Sequence, residues 1–298
     1  MAEQSQFSPR MVARAIGVSE SSLKRWCDQG RLKTTKTVGG HRRVSRAEVV
    51  RFLRDANLTL ANPEAIGLPK VDSDAIRDDP VAAQTIKKAL LSADEPTVRQ
   101  LLLTMYVSGW SLPRIFDDVI SRVFSSIGKM WACNDIEVYK ERLSCEITVN
   151  ILRELRSLLA SPEPNVPVAI GASLSGDHYT LPSLMVEMTL KGVGFKAHSL
   201  GSNLPLSTLN AAANDYQPRV FWVSLSHIGN EDQLVCDFNE FASKLPSTTA
   251  LAIGGQAITE DLRKRLKFTV CCDNMKQFEL FATNIFQQTQ TLEIRNDQ

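Results

Sequence analysis

Two stretches of this 298-residue sequence hold side chains that could do chemistry. The first is Val38-Gly39-Gly40-His41-Arg42-Arg43. Two glycines permit a tight reversal between short strands, and three consecutive basic side chains then suit contact with a phosphate backbone. The second is Gly176-Asp177-His178-Tyr179-Thr180-Leu181-Pro182, which follows an apolar run of strand length. An imidazole beside a carboxylate in such a loop suits metal or tetrapyrrole chemistry. His227, after a later apolar run, predicts a second imidazole at the same sheet edge, and either His178 or His227 is a candidate metal ligand. Each has an alternative as a plain hydrogen-bonding loop histidine.

Charge separates the two stretches. Residues 1–57 carry twelve Lys or Arg against five Asp or Glu, a net +7, whereas the whole chain is +1 and the remainder therefore −6. A basic head on an acidic body suits a nucleic-acid-binding module joined to a different partner domain. The six cysteines (27, 133, 145, 236, 271 and 272) form no Cys-x-x-Cys pair, which argues against a zinc site and for reduced thiols. No apolar run approaches about 18 residues, and no charged-then-apolar signal opens the sequence. These features predict a cytoplasmic chain without a membrane partner.

The elements that must position these residues are legible from caps and periods. Ser8-Pro9 starts one helix and Gly17 ends it; Ser19 caps a second, running to about Asp28; Ser45 caps a third. Leu23 and Trp26 form the inner face of the second helix, leaving Ser21, Ser22, Lys24 and Arg25 on its outer, N-terminal part. There a recognition helix meets base edges. The wing spans Leu32 to Val44 and adds Lys36, His41, Arg42 and Arg43 to the candidate DNA contacts. Over residues 7–55 this order resembles the MerR-type and excisionase-like winged-helix family, which implies a duplex-DNA operator as partner.

Residues 58–80, with Pro63, Gly67 and Pro69, show no sustained period and read as a linker. Residues 81–162 read as a four-helix bundle with starts near 81, 94–96, 111 and 135. The apolar stripe of the last helix is Ile136, Tyr139, Leu143, Ile147, Ile151, Leu155 and Leu158. From 163 to 298, strand-length runs (168–172, 195–200, 220–225, 250–253, 268–271) alternate with helical segments. That alternation predicts a Rossmann-like parallel sheet whose ligand edge lies at the strands' carboxyl ends. The fold class is thus multidomain α and α/β.

Bundle plus sheet resembles the cobalamin-binding module of methionine synthase. With the basic head, the whole chain resembles the CarH/LitR-like photoreceptor repressors. The bundle stretch Leu112–Ile120, with Ile127-Gly128 and Trp131, carries part of the likeness. In that family Trp and, nine residues on, Glu-His cover the upper corrin face; here Trp131 is followed by Glu141 and Arg142. Ser224-Leu225-Ser226 and Gly254-Gly255 match stretches that wall the nucleotide-tail pocket. Asp177 matches the Asp of the family's Asp-x-His-x-x-Gly loop, whose His is the lower cobalt ligand. Tyr179 stands at the ligand position, Pro182 at the Gly, and His178 is one residue early. With Ser226 and His227 these residues form the candidate cofactor site. The departures favour no ligand, or a non-standard one, over cobalamin, and leave haem or another tetrapyrrole open. The resemblance implies a regulator acting as a homodimer or larger oligomer and not an enzyme. The alternatives are a tetrapyrrole-dependent sensor-repressor, a corrinoid methyl carrier and a ligand-free adaptor that only self-associates.

Overall fold

The structure, a computed structural model, describes residues 6–70 and 79–296. It divides into two compact units, residues 1–160 and 161–298.

The first unit opens with β1 (Gln6–Phe7), α1 (Pro9–Ile16), α2 (Glu20–Asp28), β2 (Thr35–Lys36), β3 (Arg42–Ser45) and α3 (Arg46–Asp55). Each helix begins at a serine whose hydroxyl accepts a backbone N–H from the first turn: Ser8 from Met11, Ser19 from Ser22, Ser45 from Glu48. Gly17 closes α1 in the left-handed conformation and donates its N–H to the Ala13 carbonyl. Val12, Leu23, Leu32, Val44, Val50 and Leu53 form the buried core. The strands form an antiparallel sheet in the order β1-β3-β2. The sequence reading contains no β1, because two residues carry no alternation to detect.

The reading of 58–80 as a linker needs correction for the described part. Pro63–Ile66 form a 3-10 turn packed on α1, and Leu60, Ile66 and Leu68 are buried. Asn62 holds this segment by donating its backbone N–H to Ala15 and its side-chain amide to the Arg14 carbonyl, each at 2.9 Å. One 3-10 turn buries apolar residues at spacings that match neither the helical nor the strand period, so periodicity could not reveal them. Residues 71–78, also in the expected linker, lie outside the described residues.

The bundle follows: α4 (Asp79–Leu91), α5 (Glu95–Val107), α6 (Leu112–Arg114), then a π-helical stretch Ile115–Ser121 leading into α7 (Arg122–Ala132), and α8 (Val138–Arg156). Asp94 and Ser111 cap the second and third of these helical runs. The Arg99 guanidinium grips the Glu154 carboxylate with two bonds, at 2.6 and 2.5 Å, joining α5 to α8. Head and bundle also touch. Arg54 of α3 donates to the Tyr106 carbonyl and, at 3.0 Å, to the Trp110 carbonyl at the end of α5, with its charge 4.2 Å from the Tyr106 ring centre. The stripe expected on α8 holds only in part. Ile147, Ile151, Leu155 and Leu158 are buried, but Tyr139 and Leu143 are 61% and 43% exposed. A helical period identifies one face of a helix, not how far its neighbours extend along it.

The second unit is a parallel sheet in the order β5-β4-β6-β7-β8. Its elements are β4 (Val168–Ser173), α9 (Leu181–Val193), β5 (Lys196–Ser199), α10 (Leu206–Tyr216), β6 (Val220–Ser224), α11 (Glu231–Lys244), β7 (Ala250–Gly254), α12 (Glu260–Arg265), β8 (Val270–Cys271) and α13 (Met275–Asn296). One face packs Ala169, Trp222 and Ala252 against residues of α9 and α13, including Leu190, Phe278 and Ala282. The other packs Ile170, Phe221, Val223 and Ile253 against Leu209, Phe238, Phe241 and Leu262 of α10, α11 and α12. Strand β6 is buried along its whole length, as a central parallel strand must be.

Candidate functional site

In the head, α2 and the wing present the basic side chains. Lys24 and Arg25 are exposed on α2, and Lys24 pairs with Glu20 one turn earlier at 3.2 Å. Ser21 and Ser22 are drawn into the helix start, each with its hydroxyl 2.9 Å from that of Ser19. The wing turn closes through the Gly40 N–H, which donates to the Thr37 carbonyl at 2.8 Å. Gly40 takes a φ of 79°, and Val38 stands fully exposed at the tip. Lys36 and His41 are exposed. Arg42 turns back to α2 and pairs with Asp28 at 2.6 Å, while Arg43 donates to the Arg42 carbonyl at 3.2 Å. The hydrogen bond from Asp28, and then its charge, push the Arg42 pKa further up. Asp28 was not among the expected site residues. It lies fourteen positions from Arg42, and no local pattern signals a bond at that range.

At the carboxyl edge of the sheet, Asp177 is completely buried. One carboxylate oxygen accepts the Tyr179 N–H at 3.0 Å. The other accepts the N–H groups of Ser226 at 2.6 Å and His227 at 3.3 Å. Asp177 thus fastens the loop after β4 to the loop after β6. His178 and His227 are exposed and Tyr179 is half-buried. Pro182 sits in the first turn of α9, where its fixed φ suits a helix start. Among the described residues no group of three or more His, Cys, Asp or Glu side chains could hold a metal ion. The space left by the two matched glycines belongs to the chain itself. Gly255 has a φ of 131°, and a Cβ there would overlap the Leu225 carbonyl. A Cβ on Gly254 would lie 3.0 Å from the Cys272 carbonyl oxygen.

The same unit has an open groove of about 580 Å³ between α10 and α11, with Leu174, Leu204, Leu225, Phe241, Gln233 and His227 in its walls. Of the expected site residues, His227 alone is in that wall.

Trp131, Glu141 and Arg142 belong to the first unit. Trp131 is half exposed, and Val138, Tyr139 and Leu143 add further exposed apolar surface that the sequence reading assigned to the core or overlooked. Arg142 lies 3.5 Å from the Glu141 carboxylate. The Cys145 thiol, one turn on, also donates to Glu141 at 3.5 Å. Burial, reinforced by the charge and hydrogen bond of Glu141, pushes the Cys145 thiol up to about 12. A raised pKa keeps the thiol neutral until the pH approaches that value, so at pH 8 only about one molecule in ten thousand is a thiolate. Iodoacetamide at pH 8 should therefore modify the exposed Cys133 and Cys236 long before Cys145, as followed by peptide mass spectrometry. Equal rates would mean that the Glu141–Cys145 contact does not persist in solution.

Comparison with known proteins falls into the same parts. The family described as "Helix-turn-helix domain" matches residues 7–57, and that described as "B12 binding domain" matches residues 82–156. These matches and the fold define a helix-turn-helix transcriptional regulator carrying a B12-binding-type module. Among individual proteins, the chain is 26% identical over 272 residues to the HTH-type transcriptional repressor CarA of Myxococcus xanthus, spanning 85% of this chain and 88% of that protein. The monomethylamine corrinoid protein of Methanosarcina barkeri shares the fold, with a TM-score of 0.56 at 16% identity, covering 67% of this chain and 96% of its own.

The residues do not fit a histidine-ligated corrinoid. Position 179 offers a phenol in place of an imidazole, and both oxygens of the carboxylate that would orient an imidazole accept backbone N–H groups. No helix among the described residues is long and apolar enough to cross a membrane.

Proposed function

We propose that this chain regulates transcription by holding an operator duplex with α2 in the major groove and the wing along the phosphates. It acts in the cytoplasm as a homodimer or larger assembly and catalyses no reaction. The observation that carries this reading is the basic edge formed by Lys24, Arg25, Lys36, His41, Arg42 and Arg43, wired together by the Arg42–Asp28 pair. That pair holds the wing against α2, so both can meet one duplex in a fixed geometry. Palindromic operators are read by two-fold protein assemblies, which is why at least a dimer is proposed. The repressor named among the relatives supports the regulatory role. The Asp177 arrangement favours self-association over standard cobalamin sensing as the work of the second unit.

The test is a salt titration of DNA affinity, using a duplex selected by the full-length protein from a random library. Arg42→Ala combined with Arg43→Ala should weaken binding and flatten the dependence of log K on log salt by about 1.8, or about 0.9 for each lost phosphate contact. An unchanged affinity and slope would remove the wing from the interface.

A further inference from the structure

Strand β6 alternates strictly: Trp222 shares one face with Val220, towards α9 and α13, while Phe221, Val223 and Leu225 face the other way. Ser224, two residues beyond Trp222, falls on the same side as the tryptophan, and its hydroxyl meets that of Ser183 in α9 at 3.1 Å. Ser183 also accepts the Trp222 indole N–H at 3.4 Å. All three residues are buried, with Trp222 2% exposed. The indole lies over Gly171, its partner in register on β4, where any Cβ would overlap it. Tryptophan, two serines and the first turns of α9 thus close the layer beneath the strand ends.

That layer is bounded by Ser224 and Gly254, paired in register on β6 and β7, which match the walls of a nucleotide-tail pocket. The tail of cobalamin ends in dimethylbenzimidazole, a flat bicyclic aromatic base. Indole is another flat bicyclic aromatic. We propose that Trp222 is a built-in occupant of the tail space, a specificity-determining side chain that completes the fold and excludes any corrinoid that must insert a nucleotide tail. The exclusion is steric and covers the tail alone. It is separate from the change at position 179 and does not depend on DNA binding.

Two measurements decide it. Full-length protein is titrated with hydroxocobalamin and with dicyanocobinamide, the corrinoid without the nucleotide, by absorbance and by co-elution in gel filtration. Binding of neither, or of both within threefold of one another, supports the proposal. Cobalamin binding tenfold or more tighter than cobinamide overturns it, because tail insertion is what tail-dependent affinity reports. In the second measurement, Trp222→Ala is melted with and without 1 mM 5,6-dimethylbenzimidazole. A rise in melting temperature of about 3 °C or more in the variant, absent in the parent, supports an equivalent space. No rise in a folded variant overturns the equivalence. If the variant does not fold, the corrinoid titration of the parent protein still decides.

Discussion

Gly171→Ala should prevent the second unit from folding, or lower its melting temperature by roughly 10 °C or more. The new methyl group would overlap both the Trp222 indole and the Trp222 carbonyl oxygen. The indole has no room to swing, being enclosed by α9 and α13, and the carbonyl belongs to the neighbouring backbone. Relief requires β4 and β6 to separate along the central ladder that joins Ala169–Ser173 to Val220–Ser224. Overpacking a core costs about 1–3 kcal/mol, and more when backbone rather than side chain must move. Gly128→Ala is the matched control. It sits within α7 with nothing inside 4 Å of the new Cβ, and alanine favours the helix by up to about 1 kcal/mol. Circular dichroism melts of the two variants should move in opposite directions. A Gly171→Ala protein that melts with the parent would sink this account of the strand contact.

Asp177→Ala should destabilise the second unit by about 3 kcal/mol. The carboxylate satisfies three backbone N–H groups in a fully buried position, and hydrogen bonds to a charged acceptor contribute about 1.5–3 kcal/mol each, though not additively. Asp177→Asn keeps one acceptor oxygen and should cost roughly half as much. Urea denaturation should show lower midpoints with an unchanged slope. Amide exchange should accelerate first at Ser226 and His227, whose N–H groups lose their acceptor. An effect below about 0.5 kcal/mol for the alanine variant would mean that the two loops hold each other by other contacts.

These two residues also show what could be read from the sequence. Serine caps were legible because their chemistry is local: Ser8, Ser19, Ser45 and Ser111 each bond within three residues of themselves. The five strands were legible as apolar runs because a central parallel strand is buried on both sides. Asp177 was picked out by its motif, but its partners lie 49 and 50 residues away, and no spacing reveals a bond of that range. Trp222 was passed over as one more apolar letter in a strand. Period two already put it on the face of Ser224, so that signal was present and unused. The exposed Tyr139 and Leu143 failed for the opposite reason: their spacing was correct, but nothing in spacing states where the covering helices end.

The bond from Arg54 to the end of α5 gives the head a mechanical character. The DNA-reading surface is geared to the bundle, not hung from it on a cord. For the head to swivel, one guanidinium must first release two carbonyls and slide off the Tyr106 ring. Whatever unwinds or tilts the last turn of α5 is therefore delivered to α2 as a rotation. The angle at which the recognition helix meets a groove is set from inside the bundle, well away from any base pair.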